Sequence, residues 1–521
     1  MSAEATDTLL LGIDLGTSAV KVLAVTPRGE IRGRAARPYP VTWLAEGRAE
    51  QDPATWWQAT VEAVREALAR ASAGSRGRVS VAAIGLAGQV NGVVLLDARG
   101  QVLRPAIIWL DRRAAAAAEE INARAGDLLA QGALGRAGPI HTAAKLLWLL
   151  RHEPGTVHQA RVVLAPKDFL AYRLTGRAVT DVTDAAATLL LDLHRRSWSA
   201  ALLDRLGLPA HLLPEVVESP TVTGRLAQAP AEVLGLPPGV PVVAGAGDMA
   251  AITAGTGVIS PGVGCIMVGT AGQIALAMAG IPTTTADGVW AMAAPLPGAY
   301  FWHGLVMTAG HCLTWLAELI GGELDHLLAE AAEVPPGSGG LLFLPFLDGA
   351  ATPHADPHAR AALVGATSTH GRREVTRAVL EGVAFNFREA FEQFAGLGQR
   401  ASRIRLGGGG ARSPLWARVL ADVLGTPMEL LAEHDASALG ATIIAAVATG
   451  VHRDFAAACG AMVHLQGLVA PDPQAQHAYD RVYGLYRGLY HRLRETAHGL
   501  ATVAAAAPAP GGPAMARSGT E

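Results

Sequence analysis

The chain carries the same strand, glycine turn and strand pattern twice, once in each half. The first copy is LLLGIDLGTSAVKVLAV, residues 9–25, and the second is GVGCIMVGTAGQIALAM, residues 262–278. In each copy two apolar runs flank a turn in which a glycine precedes a threonine, and such internal similarity is typical of a duplicated unit. The pattern predicts two related domains, each of which opens with antiparallel strands.

The length of the chain agrees with this duplication. At 521 residues it exceeds what one hydrophobic core usually supports, and two domains of roughly 250 residues are expected. Signals for a strand meander alternate with helix signals in the first half, which predicts an α/β fold with mixed sheets. We place the domains at residues 1–247 and 248–495, and we expect the Ala/Pro/Gly-rich end, residues 496–521, to be a disordered tail.

Composition excludes several classes of protein. The formal net charge is −3 and basic residues do not cluster, so neither nucleic acid nor a membrane surface is an expected partner. Cys265, Cys312 and Cys459 lie far apart, which favours small core residues over disulfides or a zinc site. The uncharged stretch 249–286 is broken by Gly, Pro and Thr, and no basic leader precedes the first apolar run. A membrane span and a signal peptide are therefore not expected, and we predict a cytoplasmic protein.

The first glycine turn has the composition of a phosphate site. In DLGTSAVK, Gly16-Thr17-Ser18 offers backbone N–H groups and two hydroxyls to a phosphate, and Asp14 is suited to hold Mg²⁺. An ordinary hairpin turn is the alternative, since these residues are common in turns. The second copy, Gly269-Thr270, favours phosphate binding, because two facing turns can clamp a triphosphate.

A third glycine-rich segment lies near the end of the second half. IRLGGGGARSPLW predicts a strand, a turn at Gly408–Ala411, and a helix with Ser413 as N-cap and Pro414 at its first position. A helix N-terminus behind bare backbone favours nucleotide binding.

Lysine is rare in this chain, which has only Lys21, Lys145 and Lys167. Lys21 ends the segment DLGTSAVK, Lys145 begins KLLWLLRHEP and Lys167 lies in APKDFL. These positions are consistent with a specific use of a compact ammonium group. The favoured interpretation of each one singly is a solvated lysine at the end of a strand or helix. None follows a G-x-x-x-x-G pattern, so the chain lacks the usual P-loop.

Asp248 is the one carboxylate in a long uncharged region. Its segment GAGDMA, residues 245–250, matches the dinucleotide-binding pattern G-x-G-x-x-A, which needs an acidic residue about 20 positions later. The next acid is Asp287, which is too distant, and a meander rather than a parallel βαβ unit opens each half. We therefore interpret Asp248 as a general base in an interdomain cleft, with a helix N-cap as the alternative.

Taken together, these segments resemble the FGGY family of carbohydrate kinases from Leu10 to about Arg494. The resemblance is carried by GIDLGTSAVKV, EQDPATWWQAT, LLDARGQVLRPAIIW, KLLWLLRHEP, APKDFL, TDAA, PVVAGAGDMAA, TRAVLEGV and GGGARS. It implies two actin-like, ribonuclease-H-type domains that close on a cleft, with ATP mainly on the second and the sugar mainly on the first. It also implies Asp248 as proton acceptor, Asp14 near Mg²⁺, and ATP and Mg²⁺ as the cofactors.

The resemblance also implies two sets of binding residues. The residues expected at the sugar are Gln89, Val90, Asn91, Trp109, Asp111, Asp248 and Met249. Those expected at ATP and its phosphates are Gly16, Thr17, Ser18, Lys21, Gly269, Thr270, Gly408, Gly409, Gly410, Ala411 and Ser413, with Gly408 to Ala411 against adenosine. A homodimer is a further expectation.

Within the family the chain is most similar to the kinases that convert D-xylulose to its 5-phosphate, and it departs from them near the sugar. Met-His is usual where this chain has Val90-Asn91, asparagine is usual at Met249 and at Leu110, and the loop GAATPH lacks the usual Glu-Arg pair. The loss of an amide leaves a sugar hydroxyl without its partner, at a cost of about 1–3 kcal/mol. The alternatives are therefore another ketose or polyol, such as ribulose, erythritol or a deoxy sugar, a non-catalytic sugar sensor, and an actin-like or chaperone ATPase.

Overall fold

The computed structural model describes residues 7–75 and 78–506. Its strands are β1 (Asp7–Leu15), β2 (Ala19–Val25), β3 (Ile31–Pro38), β4 (Thr42–Leu44), β5 (Arg48–Gln51), β6 (Val79–Gly88), β7 (Val94–Leu96), β8 (Ala106–Ile107), β9 (Val162–Leu164), β10 (Val179–Asp181), β11 (Leu191–Asp192), β12 (Ser197–Trp198), β13 (Glu215–Val217), β14 (Val222–Arg225), β15 (Pro241–Val243), β16 (Ala246–Gly247), β17 (Val263–Val268), β18 (Gly272–Ala277), β19 (Val289–Ala293), β20 (Tyr300–Val306), β21 (Leu342–Leu344), β22 (Ala362–Val364), β23 (Arg403–Gly407), β24 (Met428–Leu431) and β25 (Leu465–Val469).

The helices cover the faces of the sheets and fill the connections between them. They are α1 (Pro53–Ala73), α2 (Ala115–Leu128), α3 (Thr142–His152), α4 (Pro154–Gln159), α5 (Pro166–Thr175), α6 (Val182–Ala187), α7 (Ala200–Leu206), α8 (Gln228–Leu234), α9 (Asp248–Gly255), α10 (Gly310–Ile320), α11 (Leu324–Ala332), α12 (Arg372–Gly396), α13 (Pro414–Leu424), α14 (Ala436–Ala448), α15 (Phe455–Met462), α16 (Pro473–Tyr486) and α17 (Leu489–Ala506).

Two large mixed sheets repeat one strand order, as the duplicated sequence predicts. The first has the order β14-β15-β6-β1-β2-β3, with β16 also paired to β6, and the second has the order β19-β20-β18-β17-β23-β24-β25. In both, an antiparallel hairpin opens the sheet (β1 with β2, β17 with β18) and a parallel strand pairs on the other side of its first strand (β6, β23). This order confirms the α/β fold with two ribonuclease-H-type units and excludes the dinucleotide-binding alternative, whose sheet opens with a parallel βαβ unit.

The central strand β1 shows why the apolar runs become strands. It is paired on both edges, and Leu9, Leu11, Ile13 and Leu15 have no exposed surface. A strand covered on both faces needs a nearly continuous apolar sequence, and LLLGIDL supplies it. The helix signals also hold: α1 begins at Pro53 and Asp52 accepts a hydrogen bond from the backbone N–H of Ala54 at 2.9 Å.

Helices α9 and α14 lie between the two sheets and pack against each other. The apolar core around them includes Leu10 and Ala83 of the first sheet and Cys265 and Phe301 of the second. The strands of the first sheet lie within residues 7–247 and those of the second within 263–469. The boundary at residue 247 stays a prediction, because both sheets share this core.

Three smaller expectations can be compared with the structure. All three cysteines are buried and free, as small core residues should be. Helix α17 runs to Ala506, so the expectation of disorder from residue 496 was wrong for residues 496–506, and residues 507–521 lie outside the described residues. Over the described ranges, no helix has the length and apolar character that crossing a membrane requires.

Candidate active site

Asp14 and Asp248 lie at the same edge of the first sheet. Strands β1, β6 and β16 are parallel, and both Asp14 and Ala246 are register partners of Ala87 in the strand between them. Because parallel strands present their carboxyl ends at one edge, Asp14 near the end of β1 and Asp248 just after β16 face the same space. Asp248 is the first residue of α9, whose N-cap is Gly247, so the N-cap alternative for Asp248 was wrong.

The two carboxyl groups influence each other. Burial, and to a lesser extent the negative charge of Asp14, raise the pKa of Asp248 to about 7, against the lowering effect of the backbone N–H of Met249, which lies 2.7 Å from Asp248 Oδ1. Burial likewise raises the pKa of Asp14 to about 6, against the lowering effect of Lys21. Oxygen Oδ2 of Asp248 has no hydrogen-bond partner among the described residues and is left for a ligand. A carboxyl that titrates near neutral pH is suited to act as a general base.

The first glycine turn is joined to the expected sugar residues. The indole N–H of Trp109 donates to the hydroxyl of Thr17 at 2.8 Å, and the side-chain amide of Gln89 donates to the carbonyl of Gly16 at 3.3 Å. Ser18, at the tip of the turn, is exposed. Because the Thr17 hydroxyl accepts from Trp109, its own hydrogen is free to point to a phosphate.

Of the other residues expected at the sugar, Val90 and Met249 lie beside Asp248. The Val90 side chain packs on Gly247, where a Cβ atom would be only 2.4 Å from its Cγ1. Met249 is buried in the apolar core between the sheets. Both positions are apolar, so the amide expected beside Asp248 has no replacement there.

Asn91 and Asp111 have structural partners in this arrangement. Asn91 has φ of 62°, and its side-chain oxygen accepts from the backbone N–H of Thr142 at the start of α3. Asp111 is completely buried, and its oxygens accept from the backbone N–H of Ala49 at 2.6 Å and from the Arg113 guanidinium at 2.8–3.0 Å. The structure does not bring either side chain to the aspartates, and their contact with a sugar stays a prediction.

A cavity of about 730 Å³ is lined by five of the eleven residues expected at ATP and its phosphates. Its walls include Gly269 and Thr270 from the second glycine turn, and Gly409, Gly410 and Ser413 from the third. Its volume is in the range of small-molecule sites. Gly408 and Ala411 frame the third turn, in which Ala411 N–H donates to the Gly408 carbonyl at 3.2 Å. We call this space the nucleotide cavity.

The nucleotide cavity connects to the aspartates through packed elements. The Gly269 carbonyl accepts from the N–H of Gly310 at 2.9 Å, which seats the N-terminus of α10 on the turn. Ser413 accepts from Trp416 N–H at 3.3 Å as the N-cap of α13. Helix α9, which begins at Asp248, packs against β18, which follows the Gly269-Thr270 turn. The second glycine turn at the wall of this cavity is therefore joined through β18 to the helix that carries Asp248.

A second cavity of about 1080 Å³ opens between the domains. The first half contributes Arg112 before α2, residues of α2 itself, and the turns that follow it as far as His141. The second half contributes Asp287 and the loop GAATPH through Ala350 and Ala351. Neither Asp14 nor Asp248 lines either cavity. The aspartates instead lie where the edge of the first sheet meets α9.

The three lysines are placed differently from one another. Lys21 is about half exposed and binds Asp435 at the start of α14, at 2.8 Å, so it joins the two domains beside Asp14. Lys145 and Lys167 have no exposed surface, and the expectation of solvated lysines was wrong for both. Lys145 donates to the carbonyls of Asn91 and Ile140 at 2.6 Å.

Lys167 belongs to a cluster that reasoning from the sequence missed. It is buried with Asp168, Asp181 and Asp184, directly behind the strand that leads to Asp248. The signal was present in APKDFL and TDAA, where a rare lysine and two acids occur among apolar residues. It was missed because these segments are separated along the chain.

The fold and the site define a two-domain phosphotransferase. Comparison with known proteins identifies the family to which it belongs. The models of the N-terminal and C-terminal domains of the FGGY family of carbohydrate kinases match residues 9–255 and 258–449. The chain belongs to this family.

Individual relatives agree with that placement. The xylulose kinase of Escherichia coli K12 is 35% identical, over 93% of this chain and 99% of that protein. A glycerol kinase of Gloeobacter violaceus is 34% identical, over 86% and 89%. The crystal structure of a xyloylose kinase from Brucella ovis is 33% identical, with a TM-score of 0.87 over 94% of this chain and all of that one.

Proposed function

We propose that this protein transfers the γ-phosphoryl group of ATP to a primary hydroxyl of D-xylulose and forms D-xylulose 5-phosphate. The observation that carries the proposal is Asp248, a carboxyl with a pKa of about 7 and one free oxygen, at the junction of two domains that each present a glycine turn. Identities of 33–35% to xylulose kinases over 93–94% of this chain support the choice of sugar.

In the reaction, Asp248 accepts the proton of the sugar hydroxyl while that oxygen forms a bond to the γ-phosphorus. The bond from phosphorus to the bridging oxygen breaks, and ADP leaves. The N–H groups of Thr17, Ser18 and Thr270 face developing negative charge on the transferred group. Those of Gly16 and Gly269 instead donate to the carbonyls of Ala19 and Ala271 and hold the two turns in shape. Closure of the cleft excludes water, which limits wasteful hydrolysis of ATP.

The residues around Asp14 fit a magnesium ion. Asp14 Oδ1 is buried and has no hydrogen-bond partner, and the neighbouring carboxyl of Asp248 raises the local density of negative charge. Mg²⁺ in kinases is commonly held by one or two carboxylates together with substrate phosphates, and Asp14 is suited to that role. When bound, the ion would neutralise charge on the phosphates.

A smaller polyol is a second candidate substrate. The relative named glycerol kinase is almost as similar as the xylulose kinases. The apolar residues Val90 and Met249 beside Asp248 also leave fewer polar partners for a longer sugar. The same base and the same phosphate turns would serve either hydroxyl.

An ADP-release assay over a panel of acceptors tests the proposal. The panel contains D-xylulose, ribulose, erythritol, glycerol and deoxy sugars, compared by kcat/KM, and the phosphorylated carbon of each product is located by NMR. We expect D-xylulose to rank first and to be phosphorylated at carbon 5. A higher rank for another acceptor would replace the substrate and keep the kinase activity. If none of the acceptors in the panel leads to ADP formation, the non-catalytic sugar sensor is favoured instead.

Two further properties are proposed alongside this assignment. We expect the protein to act in the cytoplasm and to form a homodimer. Sedimentation of the purified chain would measure the second directly.

A further inference from the structure

The buried lysine cluster lies behind the active site and takes no part in the proposed chemistry. Lys167, Asp168, Asp181 and Asp184 are each at most 2% exposed. Lys167 Nζ lies 2.5 Å from Asp168 Oδ1 and 3.2 Å from both Asp181 Oδ1 and Asp184 Oδ2. Burial raises the pKa of Asp184 well above its ordinary value. To bury so many ionisable groups is costly unless they are paired, so their placement needs an explanation.

The cluster holds the backbone that leads to the base at two points. Lys167 Nζ donates to the carbonyl of Ala244 at 3.0 Å. Thr183 is the second residue of α6, and its hydroxyl accepts from the backbone N–H of Gly247 at 2.9 Å. The segment 244–247 is therefore fixed at both ends, and Asp248 follows it directly.

The orientation of the Thr183 hydroxyl follows from its partners. The N–H of Gly247 can only donate, so the hydroxyl oxygen accepts there, and the hydroxyl hydrogen is directed to Asp181 Oδ2 at 2.7 Å. Asp181 Oδ2 also accepts from the N–H of Thr183 at 2.9 Å and from the hydroxyl of Ser219 at 2.7 Å. These bonds leave the threonine one rotamer that serves both neighbours.

We propose that Thr183 is a positioning residue for phosphoryl transfer, because it connects Asp181 to the backbone of Gly247 and so fixes the Asp248 carboxylate against the sugar hydroxyl. This inference rests on the proposed role of Asp248 as proton acceptor. Thr183 itself lines neither of the two large cavities. Loss of its hydroxyl leaves the buried N–H of Gly247 without a partner and allows the segment to shift.

Thr183→Val and Thr183→Ser form the test pair, since valine keeps the shape and serine keeps the hydroxyl. A misplacement of 1 Å can cost about 100-fold in rate, so we expect Thr183→Val to lower kcat by about 10- to 100-fold. The KM for ATP should stay unchanged, because Thr183 does not line the nucleotide cavity. Thr183→Ser should recover most of the lost kcat.

Thr188→Val is the matched control. Thr188 is also buried beside α6, but its hydroxyl donates to the Ala185 carbonyl and accepts from Leu190 N–H, and it has no bond to the segment 244–247. If Thr183→Val does not fold, Ser219→Ala replaces it in the test. This change removes the hydrogen bond from Ser219 to Asp181, the carboxylate that orients Thr183, and should give a smaller loss of kcat.

The outcomes separate this inference from the proposed function. Wild-type kcat in Thr183→Val together with an inactive Asp248→Asn would overturn the positioning role and keep the base. Equal losses in Thr183→Val and Thr188→Val would also overturn it, since the effect would then be general destabilisation. An active Asp248→Asn would remove the base, and the positioning role would fall with it.

Discussion

The acidity of Asp248 is a property of a single residue with a direct kinetic consequence. A general base acts only when it is ionised, and burial and the charge of Asp14 raise the pKa of Asp248 to about 7. We therefore expect kcat/KM for the sugar to fall as the pH drops below about 7, by about tenfold for each further pH unit. Initial rates of ADP release between pH 5 and 9, at saturating Mg-ATP, would measure this. A profile that stays flat down to pH 5 would mean that Asp248 is ionised throughout and that its surroundings are misassigned.

Residues differ in how far the sequence alone could place them. Asp14, Asp248 and the glycine turns were predicted because each chemical type stands in a distinctive local pattern. Asn91 and Asp111 were expected at the sugar, but their partners, Thr142 and Arg113 among them, depend on how separate segments pack. A pattern along the chain does not state which side chain will already be satisfied by a neighbour.

Helices α9 and α14 form the element that joins the domains, and their crossing is very close. A Cβ atom at Gly440 would lie 1.9 Å from the backbone carbonyl of Ala251, so the two helices touch through their backbones. We expect Gly440→Ala to push them apart and to cost about 1–3 kcal/mol, as overpacking of a core usually does. Thermal unfolding followed by circular dichroism would show the loss as a lower Tm.

Gly484→Ala in α16 is the control for that substitution. A Cβ at Gly484 meets nothing within 4 Å, and alanine is favoured over glycine in a helix by roughly 0.5–1 kcal/mol. Its Tm should equal or exceed that of the wild type. If Gly440→Ala were as stable as Gly484→Ala, the close crossing of α9 and α14 would be contradicted.

Element boundaries were predicted where local chemistry sets them. Helix α13 begins at Pro414 behind its Ser413 cap, as expected. Helix α17 was missed at its end because its run of alanines was grouped with the Ala/Pro/Gly tail that follows it. Composition alone does not separate an alanine-rich helix from an alanine-rich tail.

At the scale of the whole molecule, the duplication explains where the chemistry lies. Each unit supplies one glycine turn at the edge of its sheet. Lys21 and Arg34 of the first unit bind Asp435 and Glu433 of the second, next to Asp14. The nucleotide cavity lies in the second unit and Asp248, the proposed base, lies at the junction, so the proposed transfer requires both units. The two copies of the turn pattern predicted two related units, each with its own glycine turn. The buried lysine cluster could be recognised only in the three-dimensional structure.

The most direct test of the central claim is the steady-state kcat of Asp248→Ala with Mg-ATP and the best acceptor of the panel. Loss of a general base should lower kcat by about 10²- to 10⁴-fold, while the KM for ATP stays close to that of the wild type because the nucleotide cavity is intact. A loss of less than about tenfold, in a folded variant, would contradict the assignment of Asp248 as the proton acceptor.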